Sequence, residues 1–87
     1  MEEKNDSMQA IVLQNKNIKL NNINNVKVIR VKDEKYNLLI MRDYWPIIGE
    51  INGSVYFDGE ENLSFENIKG FYMLCNNVFR LIIIEDN

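Results

Sequence analysis

The 87-residue chain predicts an all-β fold, a two-layer antiparallel β-sandwich of about eight to ten short strands. Three observations carry that expectation. β-branched and aromatic residues dominate the apolar set: 12 Ile and 6 Val stand against 7 Leu and 1 Ala, a mixture that suits a pleated surface and disfavours helix. Turn signals recur at short intervals, at Asn15-Lys16-Asn17, Asn24-Asn25, Asp33-Glu34-Lys35, Asn52-Gly53, Asp58-Gly59, Lys69-Gly70 and Asn76-Asn77. The apolar runs between them are short, which is the pattern of a sandwich or barrel.

Residues 9–13 and 18–20 form a first pair across the Asn15-Lys16-Asn17 turn. Residues 26–32 follow, then 36–41 after Asp33-Glu34-Lys35. Residues 47–51 meet 54–57 across Asn52-Gly53, the strongest two-residue hairpin signal in the chain. Residues 63–68 meet 71–75 across Lys69-Gly70. Residues 71–75 then meet 78–84 across Asn76-Asn77, where Asn tolerates positive φ and suits a primed turn. The apolar phase switches from Val26 and Val28 to Ile29 and Val31, which predicts a bulge near Val28-Ile29. Residues 38–41 and 81–84 are apolar on both faces. Such strands are buried on both sides or cover a partner with one of them; core is the expected account of both. Phe71 and Cys75 are expected inside, Cys75 as a small hydrophobe and not a nucleophile. Residues 1–8 read as a frayed tail and 9–87 as one domain.

Composition excludes several chemistries. With no His there is no imidazole base, no Ser–His or Cys–His pair and no His-bound metal. One Cys allows no internal disulfide and no Cys-rich zinc site. No Gly-rich phosphate loop is present, and the 13 acidic residues show no spacing specific to a catalytic pair. The chain is therefore expected not to be an enzyme and to need no cofactor. No apolar run approaches the roughly 20 residues of a membrane-spanning helix. The first residues are acidic and polar, unlike a signal peptide, so a cytoplasmic location is expected.

The net charge of −3 is unevenly spread. Residues 16–42 hold seven basic and two acidic side chains; from Asp43 onward there are two basic and eight acidic. Either the surface is dipolar and docks on a charged partner, or strands of the two halves pair and set opposite charges across from one another. The second is the plainer reading. Nucleic acid is not an expected partner, because the total is negative and only Tyr36 interleaves the basic stretch. The loop Arg42-Asp43-Tyr44-Trp45-Pro46 carries the only Trp and the only Pro. It is either a corner plugged by Trp45 or an exposed aromatic tip for recognition.

From Val26 onward the chain resembles the N-terminal β-sandwich of the epsilon subunit of F-type ATP synthases. The strand and acidic turn from Ile29 to Leu39, through Asp33, Glu34 and Lys35, stand where the family has an apolar strand, a Gly/Glu-rich turn and Gly-Ile-Leu. Pro46-Ile47-Ile48-Gly49-Glu50-Ile51 leading to Gly53-Ser54-Val55 is similar to the family's Ala-Pro-Leu stretch and Pro-Gly-Val turn. Phe65-Glu66-Asn67-Ile68-Lys69-Gly70-Phe71 is similar to its strand entering a Gly-Gly-Phe step. Asn76-Asn77-Val78 with Leu81 is similar to its last hairpin. In place of the family's Leu-Pro-x-His-Ala-Pro tip stands Ile40-Met41-Arg42-Asp43-Tyr44-Trp45-Pro46. No counterpart of the family's C-terminal helical hairpin is present.

The resemblance implies a non-catalytic rotor subunit that couples rotation between the gamma subunit and the membrane ring of c subunits. It would touch the membrane only through that complex. The candidate partner-binding residues it implies are Asp33, Glu34 and Lys35 in the turn and Arg42, Asp43, Tyr44 and Trp45 in the loop. A reading from a different class also fits the small size and acidic balance: a free-standing interaction module, such as an inhibitor, an immunity protein or a phage product, that binds a charged partner surface.

Overall fold

The computed structural model describes residues 7–86. Residues 1–6 of the expected tail over residues 1–8 lie outside the described residues. Six strands follow in order: β1 (Met8–Gln14), β2 (Lys19–Asp33), β3 (Asn37–Ile40), β4 (Ile47–Gly59), β5 (Leu63–Cys75) and β6 (Val78–Asp86). They form one sheet in the order β1-β6-β5-β4-β2-β3, and β1 also pairs with β2. That last pairing closes β1, β6, β5, β4 and β2 into a five-stranded barrel, with β3 added on the free side of β2.

The fold is all-β as expected, but it is a closed barrel with an extra strand and not a plain two-layer sandwich. Nor is it wholly antiparallel: β1 runs parallel to β6 from Gln9↔Val78 to Gln14↔Ile83. There are six strands among the described residues where eight to ten were expected, because three long strands each absorb two predicted short ones. The hairpin expected at Asn52-Gly53 lies inside β4, and the turn expected at Lys69-Gly70 lies inside β5.

The physical reason is close approach. A Cβ on Gly53 would overlap the Lys32 carbonyl oxygen, and one on Gly70 would overlap the Ile82 carbonyl oxygen. Both glycines mark places where a neighbouring backbone presses in, the usual meaning of glycine inside a strand. Each has a register irregularity beside it, between Gly53 and Val55 against β5 and between Lys69 and Gly70 against β6. β2 is also irregular, between Val26 and Val28 against β4 and opposite Met8–Ala10 of β1. Asn25 and Asn67 take positive φ, 56° and 57°, at these steps. Bulges bend a strand and tighten its twist, so β2, β4 and β5 can each serve both walls of a small barrel. The bulge expected at Val28-Ile29 is therefore present, one to two residues earlier. Its trace in the sequence is the three-residue step between the buried Ile23, Val26 and Ile29.

Asn24-Asn25, also expected as a turn, lies inside β2, and Asp58-Gly59 ends β4 as strand; the Asn15-Lys16-Asn17, Asp33-Glu34-Lys35 and Asn76-Asn77 turns form as expected. Asn76 and Asn77 both adopt positive φ, 51° and 63°, between the paired Cys75 and Val78. Asp33 N–H donates to the Tyr36 carbonyl at 2.8 Å to close the β2–β3 hairpin. The core is the barrel lumen, filled by Ala10, Val12, Ile29, Val31, Ile40, Val55, Phe57, Phe79 and their neighbours. Phe57 packs edge-on to Phe65 and Phe79, and Phe79 stacks on Tyr72 at 5.5 Å between centroids. Met8 is part of this core, so β1 begins one residue before the expected strand.

Two expected core residues lie outside it. Phe71 is 46% exposed and Cys75 is an exposed free thiol. In β5 the inward positions are Ile68, Gly70, Tyr72 and Leu74, and the alternation of the strand turns Phe71, Met73 and Cys75 outward. The pairing of basic and acidic halves is visible at Arg30 and Asp58, 3.5 Å apart on adjacent strands.

Candidate functional site

The barrel has two different outer surfaces. One, over β3, the second half of β2 and the second half of β4, mixes charged side chains with the exposed Leu39, which pairs with Arg30. It carries the Arg30–Asp58 pair and Lys32 over the Tyr56 ring at 5.4 Å. The opposite wall is built from the first half of β4, the second half of β5, β6, β1 and the first half of β2, and it is mostly apolar, with Glu50, Arg80 and Asn22 among its outward side chains. Cross-strand pairing lines up Glu50, Phe71, Ile82, Leu13 and Leu20 in one row across five strands. The next row is Ile48, Met73, Arg80, Ile11 and Asn22. Ile48, Phe71, Met73, Ile82, Ile84 and Leu20 are all exposed. At a strand spacing of roughly 4.8 Å the rows run about 19 Å. Of the two readings of residues 81–84, the outward-facing one holds: Leu81 and Ile83 fill the core, while Ile82 and Ile84 face out. A contiguous apolar patch of this kind marks an interaction surface.

The predicted turn residues Asp33, Glu34 and Lys35 sit at one end of β3. Beyond Gly53 the first half of β4 has no partner on the β2 side, and the turn caps that open edge. Asp33 accepts the Lys35 N–H at 2.9 Å and the Asn52 N–H at 2.7 Å. Glu34 N–H donates to the Asn52 carbonyl, and the Asn52 side chain donates to the Glu34 carboxylate. Tyr36 extends the cap, its hydroxyl donating to the Glu50 carbonyl. Having spent its proton there, Tyr36 accepts from Tyr72, 2.9 Å away. Burial, and then this bond, hold the Tyr72 phenol well above its ordinary value near 10. An open groove of about 820 Å³ runs past this cap, between Lys35, Tyr36, Ile48, Glu50, Lys69 and Ile84. Both Asp33 oxygens are occupied by backbone amides. Among the described residues no cluster of three metal-ligating side chains occurs.

The predicted loop residues Arg42, Asp43, Tyr44 and Trp45 lie at the other end of β3, roughly 10 Å away by the rise of a strand. The structure therefore does not bring the two predicted groups together. The loop is clasped to the β5–β6 turn: Asp43 N–H donates to the Asn77 side-chain oxygen at 2.6 Å, and the Asn77 amide donates back to the Asp43 carboxylate at 3.2 Å. Arg42 pairs with Asp43 at 3.8 Å. Tyr44 packs against the core and plugs the corner, while Trp45 stands 81% exposed. The apolar wall was missed as a site in the sequence, although the doubly apolar run 81–84 was its signal. Phe71, Met73 and Leu20 gave none, because register decides which side they take.

No family model matches the chain, and no curated protein matches it in sequence. Solved structures do match in fold. A chain of the Tetrahymena thermophila mitochondrial ATP synthase, from a cryo-electron microscopy structure of its central stalk and c-ring, superposes with a TM-score of 0.73. The match covers 95% of this chain and 67% of that one, at 13% sequence identity. At that identity the likeness is one of fold alone.

Proposed function

We propose that the chain is a non-catalytic, epsilon-like central-stalk domain of an ion-translocating ATP synthase, which docks by its apolar wall on the gamma subunit. The observation that carries this reading is the exposed wall of Ile48, Phe71, Met73, Ile82 and Leu20 on a barrel whose fold is shared with a chain of a central-stalk assembly. The task is to transmit torque, and it needs stiffness more than chemistry. A closed barrel packed with Ile, Val and Phe is a body of low compressibility. We assign the ring-facing end to the Arg42–Trp45 loop, because Trp45 is free while Asp33 and Glu34 are engaged in the cap. The domain needs no cofactor, and it sits in the cytoplasm, held at the membrane only by its complex. Co-expression with the gamma subunit of the same organism tests the reading: the two should purify as a stable complex. A chain that passes through as a lone monomer overturns it.

A second reading is favoured by the groove, which is lined by four carboxylates (Asp33, Glu34, Glu50, Glu85) and only two lysines. That imbalance suits a free-standing acidic module binding a basic surface. Such a protein leaves gamma alone, and its gene has no reason to lie beside that of the catalytic beta subunit.

A further inference from the structure

Arg80 stands in the middle of the apolar wall. Its cross-strand neighbours on the outer face are Met73 of β5 and Ile11 of β1. Its neighbours two residues along β6 are Val78 and Ile82. All four are apolar, and among the described residues Arg80 makes no ion pair or hydrogen bond. A guanidinium cannot shed its proton. Any partner that covers this wall with apolar side chains alone therefore strands a buried charge, at a cost larger than the surrounding contacts return.

We infer that the wall's partner is a protein surface with apolar side chains around a single carboxylate, which meets Arg80. This rests on the rotor reading above and specifies the partner's chemistry. One cation ringed by apolar groups is what a protein interface presents; a phosphate-rich partner would be met by several cations. The planar guanidinium can hold the carboxylate with two parallel bonds and so fix the rotational register of the docked domain. Register matters to a part that transmits torque. At the margin, Glu50 and Lys69 stay solvated and contribute little.

The test is calorimetric titration of the chain with the gamma subunit of the same organism. Wild type binds; Arg80→Gln weakens binding by about 30-fold or more, because the partner's carboxylate is left buried and unpaired. Arg80→Lys recovers part of the loss, Ile82→Ser weakens binding independently, and Lys69→Gln stays within about twofold. Because Arg80 is exposed, circular dichroism and melting of the free variants should match wild type. If wild type binds gamma and Arg80→Gln binds equally well, the carboxylate assignment is wrong while the rotor reading stands. If wild type does not bind gamma, both fall. A wild-type dimer in sedimentation that Arg80→Glu dissolves would place a second copy on the wall and overturn the assignment.

Discussion

At the scale of single residues, two phenylalanines with the same side chain have opposite roles. Phe57 is fully buried and touches two other aromatic rings; Phe71 lies on the wall. Phe57→Ala should cost about 3–5 kcal/mol in a denaturant melt. Phe71→Ala should stay near the ordinary surface range of about 0.5 kcal/mol and act on docking instead. Gly53→Ala and Gly70→Ala should each cost about 1–3 kcal/mol, since the new methyl must push a neighbouring strand away. Tyr72 supplies a pH signature. Its phenol is raised in the folded state, so above about pH 10 the unfolded chain releases a proton that the folded chain keeps. Stability is then full below that pH and falls above it, by up to about 1.4 kcal/mol per pH unit. Tyr72→Phe should remove this component, measured as the difference between the two proteins' melts from pH 8 to 11.

At the scale of elements, what could be read in the sequence was whatever is decided locally. The all-β class followed from Ile, Val and the near absence of Ala. Hairpins closed by residues that tolerate positive φ or accept backbone amides, Asn76-Asn77 and Asp33–Lys35, formed where they were expected. Asn52-Gly53 and Lys69-Gly70 carry the same turn chemistry but became strand interiors. Glycine answers to two demands, left-handed backbone and close approach, and here all four glycines lack positive φ. Which demand applies depends on strands distant in sequence, so the long strands β4 and β5, and the barrel they close, were not legible. The site divides in the same way. Trp45 was legible as a singular loop residue, whereas the wall required the register of five strands. The Asp43–Asn77 clasp was likewise hidden by a separation of 34 residues. Asn77→Gly keeps the positive φ and removes the clasp. It should lower stability by about 1 kcal/mol, and the time-resolved anisotropy of Trp45 should gain a fast component as the loop loosens.

At the scale of the whole molecule, the barrel is two-faced: charged and hydroxyl-bearing side chains surround Leu39 on one wall, and the other carries most of the exposed large apolar side chains. Folding alone does not require this, because the lumen already buries a complete core. Apolar side chains facing water also invite aggregation, so a wall of them persists in a functional protein when a partner covers it. Cys75 reports on that cover. It is the only thiol, it is exposed, and it lies on the outer side of β5 in line with Phe71 and Met73. In the free chain a maleimide should modify it at close to the rate of a small-molecule thiol, without disturbing the fold. In the proposed complex with gamma the rate should fall by about tenfold or more, since a docked interface core excludes water and reagent alike. Unchanged alkylation of Cys75 in an intact complex would show that gamma grips the opposite wall instead. The exposed row from Phe71 to Leu20 would then need another occupant.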